Sequence, residues 1–245
     1  MPMKGNVFRG AHCLLRGASL LGHPSLRLFV IVPLLVNILI FASLLGLTIN
    51  FVDRTISGWM DSIPAWLGFL EWLVWPVLII VFGLLAGYLF TALALLIASP
   101  FNNLLAEKAE ELVTGKPVAG LGGFTAALLA LPQGLLRELH KLWYYVPMAI
   151  LVLVLSVIPG INVASPLLWL LLGAWMMSLQ FIDYPMDNHQ LRFADVRAAA
   201  QRHRLSSMGF GGLVALCAGV PVLNFFVVPA AVVGATLLWC EELQQ

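Results

Sequence analysis

Few residues in this chain can do chemistry, and they fall in three places. The run His23-Pro24-Ser25-Leu26-Arg27 sets a proline near a helix start, the free N–H groups of Ser25 and Leu26, and the guanidinium of Arg27 toward one point. That is how a tetrahedral oxyanion is held, although an arginine that only snorkels to lipid phosphate shows the same pattern. The second place, Asp183-Tyr-Pro-Met-Asp187-Asn188-His189, carries donors for a divalent metal. Pro185 is expected to spoil the i, i+4 face such a site needs, so the run reads as a hydrogen-bonded anchor and no metal is assigned. The third is a pair of matching breaks, Ile158-Pro159-Gly160-Ile161-Asn162 followed by Pro166, and Val220-Pro221-Val222-Leu223-Asn224 followed by Pro229. Helices beginning near Ser165-Pro166 and at Pro229 would aim unpaired N–H groups and the positive end of the helix dipole at an anion. The alternative is a structural hairpin whose freed ends are capped by Asn162 or Asn224.

Nothing here resembles a phosphate-cradling glycine loop, an HExxH helix, a nucleophile elbow or a dinucleotide fingerprint. The chain is read as a non-enzyme without a cofactor. Cys13, Cys217 and Cys240 are odd in number and lack zinc-type spacing, so they are read as packing residues.

The elements that must position these residues follow from composition. Of 245 residues, 61% are hydrophobic and 10% charged, against about 25% charged in a soluble domain. A chain with 13 basic and 12 acidic residues cannot cover so apolar a surface with charge; its solvent is lipid. The net charge of +1 and the lack of a basic block exclude nucleic acid as a partner.

Charge-free intervals divide a single membrane domain, 1–245. The segment 1–27 reads as a surface amphipathic helix with Val7, Leu14, Leu15 and Leu20 toward lipid. Residues 28–52 form a first crossing, since about 20 apolar residues span a bilayer. Residues 72–98 form a second, ended by Ser99-Pro100, with a cytoplasmic continuation helix at 100–114. The stretches 142–182 and 205–240 read as two copies of one helical hairpin that dips into the membrane. The fold class is an all-α integral membrane protein: two long crossings, two re-entrant hairpins and the interfacial helix. With the N-terminus in the cytoplasm, every basic residue but Arg54 falls on that side, as the positive-inside rule requires.

The segments HPSLRLFVIVPLLVNIL, ASPFNNLLAEKAEELVTG, IPGINVASPLLWLLLGAWM, QFIDYPMDNH and VPVLNFFVVPAAVVGATLLW resemble, in order and spacing, the CysZ family of bacterial inner-membrane sulfate permeases. The resemblance implies an oligomer of partly penetrating helices that passes sulfate inward for cysteine synthesis. It implies a sulfate site at Ser25, Leu26 and Arg27. Ser25 stands where the family has glycine, and Leu28 where a second basic residue often occurs, which leaves one guanidinium and weaker binding. It also implies a conductive role for Glu107, with Leu112 standing where an arginine can occur. Asn37, Asn102, Asn103, Asn162 and Asn224 complete the pathway candidates. Rival readings are a proton-coupled sulfate symporter and a non-transporting membrane scaffold.

Overall fold

The computed structural model describes residues 5–60, 69–118, 129 and 131–244, and every element among them is helical. The helices are α1 (Val7–Leu20), α2 (Arg27–Met60), α3 (Phe69–Thr114), α4 (Leu131–Val157), α5 (Ser165–Asn188), α6 (Phe193–Arg202), α7 (Arg204–Ala218) and α8 (Pro221–Leu238), the last running into a π turn at Trp239–Leu243. Four stretches among the described residues are long and apolar enough to cross a membrane: Arg27–Phe51, Pro132–Val157, Asn162–Asn188 and Phe226–Leu243. Two compact units divide the chain, one from residues 1–31 and 99–245, the other from 32–98.

Several prolines expected to end helices sit inside them. α3 passes through Ser99-Pro100 without a break. α5 continues through Pro185, and α8 begins at Pro221 and contains Pro229. An internal proline costs one backbone hydrogen bond, whereas ending a helix in hydrocarbon leaves several N–H and C=O groups unpaired. The cheaper arrangement wins. In consequence the two hairpins are not copies. The first turns over residues 158–164, with Gly160 at φ +88 where a side chain would be strained, and its second arm starts at Ser165 with Pro166 in the first turn. The second turns over Gly219 and Val220 alone, so Pro221 opens its arm and Asn224 lies within the first turn of α8.

In the larger unit, α1 packs against α7 and α8, and α5 packs against the same pair. Small residues set these distances. A Cβ on Gly10 would strike the Ser206 carbonyl oxygen, one on Gly17 would lie 2.5 Å from the Ala230 carbonyl oxygen, and one on Gly209 would strike the Val7 carbonyl oxygen. Leu14, expected to face lipid, is therefore buried with Cys13, while Val7 and Leu15 remain exposed. α1 turns Gly10, Cys13, Leu14 and Gly17 into this groove. Its ends are tied by Asn6, whose N–H donates to Ser206 Oγ at 2.9 Å, and by ion pairs from Arg9 to Glu242 and Arg16 to Glu241. Burial pushes the Cys13 thiol up to about 11. The folded protein is expected to leave Cys13 unalkylated by maleimide at pH 7.5 and to expose it only on unfolding, because the thiolate is the reactive form; peptide mass mapping reads the outcome.

In the smaller unit, edge-to-face ring pairs join α2 and α3 at Phe41 with Phe90 (centroids 5.1 Å apart) and Phe51 with Phe82 (5.6 Å).

Candidate anion site and its charged support

α2 begins at Arg27, after a turn in which Leu26 is fully buried and Ser25 and Arg27 are exposed. The two N–H groups expected to be free are engaged. Leu26 N–H donates to the His23 carbonyl oxygen at 2.9 Å, and Ser25 N–H donates to His23 Nδ1 at 3.3 Å. Pro24 has no N–H, so the chain uses the His23 carbonyl and ring to satisfy the turn internally. The Ser25 bond is long for an N–H donor, so of the two it costs less to exchange for another acceptor. Arg27 forms no ion pair among the described residues. Leu28 beside it is exposed, so a single guanidinium marks the turn.

Behind this turn in sequence, α3 lays a polar face on the end of α5. Asn102 Nδ2 donates to Tyr184 Oη at 3.2 Å, and Asn188 Nδ2 donates to the Asn103 carbonyl oxygen at 3.0 Å. One and two turns further along α3 are Glu107 and Glu110, both buried. His189 Nε2 lies 2.8 Å from Glu110 Oε1. Glu107 has Lys108 at 3.6 Å on one oxygen and, among the described residues, no hydrogen-bond partner on the other.

The Asp183 to His189 run differs from its sequence reading. Because α5 is unbroken at Pro185, Asp183 and Asp187 share one helical face after all, and that face meets Arg137 and Lys141 of α4. Arg137 Nε lies 2.9 Å from both Asp183 oxygens, and its NH1 lies 2.7 Å from Asp187 Oδ1. Lys141 Nζ lies 2.7 Å from Asp183 Oδ2 and 2.7 Å from Glu138 Oε1. Both carboxylates are thus held by cations. Lys141 is 2% exposed, which makes this the most deeply desolvated charge cluster described. Arg137 and Lys141 were missed in the sequence; the signal was a basic pair at i, i+4 with the spacing of the acidic pair.

Of the remaining pathway candidates, Asn162 sits exposed in the first hairpin's turn and Asn224 exposed at the start of α8. Neither helix start has a side-chain cap. Asn37 belongs to the smaller unit, within the apolar stretch of α2, and its Oδ1 is buried without a partner among the described residues. Among the described residues the structure brings Asn102, Asn103 and Glu110 together with the Asp183 to His189 run, and Glu107 lies one turn before Glu110 on the same helix.

Residues 13–229 match the family described as Sulfate transporter CysZ/Etoposide-induced protein 2.4. The chain belongs to this family. Relatives within it include the Sulfate transporter CysZ of Pseudomonas paraeruginosa, 40% identical over 95% of each chain. That of Pseudomonas fluorescens is 41% identical over 98% of this chain and 96% of its own. That of Pectobacterium atrosepticum is 41% identical over 95% of this chain and 85% of its own. These CysZ relatives are named as transporters, in keeping with the four helices among the described residues that are long and apolar enough to cross a membrane.

Proposed function

We propose that this chain carries sulfate across a bacterial inner membrane, with the His23–Arg27 turn as the place where the anion is collected. The observation that carries the reading is near-full-length similarity to proteins named sulfate transporters, joined to an exposed Arg27, without an ion pair among the described residues, at the head of a 25-residue apolar stretch. Arg27 supplies charge, Ser25 exchanges its long bond to His23 for one to the anion, and buried Leu26 anchors the turn. Binding of this kind is modest, which suits conduction: the ion must enter and also leave. Uptake then feeds cysteine synthesis, from an oligomer whose N-terminus is cytoplasmic. The distribution of basic residues supports that orientation.

Labelled sulfate uptake into proteoliposomes tests this. Arg27→Ala removes one charge-assisted contact, worth about 1.5–3 kcal/mol, so sulfate binding is expected to weaken about 10- to 100-fold with thermal stability unchanged. Undiminished binding would remove Arg27 from the site. A symporter differs in responding to an imposed pH gradient at equal sulfate on both sides, and a scaffold in giving no flux at all. Asp183 is held by two cations, which leaves it poorly suited as a proton relay.

A further inference from the structure

We infer that the cavity walled by α4 and the 190–197 segment binds the headgroup of an anionic phospholipid. The cavity holds about 890 Å³, far more than a tetrahedral oxyanion occupies. Its lining changes character along α4. Arg137 and His140 come first, then Trp143 and Tyr144, then Pro147 and Met148, a run of about 16 Å at 1.5 Å per residue. Past Met148 the same helix stays bare and apolar, with Ile150, Leu151, Val154 and Val157 all more than half exposed. A groove that is cationic at one end and opens onto exposed apolar helix fits an amphiphile with a negative head.

The charge balance at that end favours an anion. Asp187 is the one carboxylate in the lining, and Arg137, which it shares with Asp183, lies 2.7 Å from it. Arg192 and Arg197 remain. Arg192 is 85% exposed and reaches Asp195 only at 3.6 Å. Arg197 lies over the Tyr144 ring, 5.1 Å from its centroid, and forms no ion pair among the described residues. Two guanidinium groups facing a cavity, beside Trp and Tyr, match the basic and aromatic belt that binds lipid phosphate at a membrane surface.

The site rests on the chain being a membrane protein and is independent of what it transports. The test is thermal unfolding of the full chain in neutral detergent with added phosphatidylglycerol, phosphatidylcholine or sodium sulfate, for wild type and an Arg192→Ala/Arg197→Ala variant. Phosphatidylglycerol is expected to raise the wild-type Tm by about 4 °C, as binding at many times Kd does. Phosphatidylcholine should leave it within 1 °C or so, any shift from sulfate should be the same in wild type and variant because it arises at the Arg27 turn, and the variant should lose the phosphatidylglycerol shift. Equal stabilisation by phosphatidylcholine, or a full shift retained in the variant, overturns the inference. So does stabilisation by sulfate through the same arginines, which would make the cavity a small-oxyanion site. Should the variant not fold, the wild-type comparison of the two lipids decides alone. Sulfate flux through the variant, measured alongside in phosphatidylcholine vesicles, keeps loss of the lipid shift separate from loss of transport.

Discussion

Asp183→Ala is expected to destabilise the folded chain by about 3–5 kcal/mol, the cost of leaving a buried cation without its partner. Lys141, 2% exposed, would keep one carboxylate among the described residues, Glu138, whose side chain is 49% exposed, and the neutral Gln180 oxygen at 3.3 Å. Arg137 would keep Asp187 alone. At about 2–4 °C per kcal/mol for a chain of this size, Tm should fall by roughly 10 °C, read by tryptophan fluorescence in detergent. Replacing Arg137, Lys141, Asp183 and Asp187 together by Met, Met, Leu and Leu should recover much of the loss, because only the half-exposed Glu138 then loses a partner and an apolar filling of like volume is often as stable as a buried ion cluster. A loss below about 1 kcal/mol for Asp183→Ala would place the cluster among solvent-screened surface pairs and refute its desolvated character.

The second large effect separates two neighbouring glycines of α7. A Cβ on Gly211 would strike the Ala174 carbonyl oxygen and lie 2.6 Å from the Ser178 backbone nitrogen, whereas one on Gly212 meets only the Ala174 Cβ at an ordinary 3.7 Å. Gly211→Ala must push α5 and α7 apart at backbone level, so a loss of about 1–3 kcal/mol or more is expected. Gly212→Ala should instead gain about 0.5–1 kcal/mol from helix propensity. The measurement is denaturant or thermal unfolding of the two single variants. Equal effects would mean that α5 and α7 do not approach as closely as described.

How much of this was legible in sequence depends on whether a property is local. The apolar stretches at 28–52 and 142–182, the turn at Pro159-Gly160 and the helix start at Ser165-Pro166 are set by nearby residues, and these came through. Pro100, Pro185 and Pro229 misled because their local preference for a break competes with the cost of bare backbone in lipid, which depends on surroundings the sequence does not display. Burial of Leu14 was hidden for a related reason: α1 turns inward only because Gly209 and Gly234, some 200 residues away, leave room for it. Arg137 and Lys141 flank an apolar interval, where charges normally mark a watery edge. At Ser25 and Leu26 the turn and the lone arginine were visible, but use of the His23 ring and carbonyl as acceptors was a matter of conformation.

The tie between Asn6 and Ser206, 200 positions apart, has a consequence for biosynthesis. α1 leaves the ribosome long before the helices that seat it. At roughly 5–20 residues per second, α1 waits some tens of seconds with its glycine stripe and Cys13 uncovered, until α7 and α8 have been made. A nascent chain stalled before Ser206 should therefore carry a reactive Cys13 that a released chain has put away.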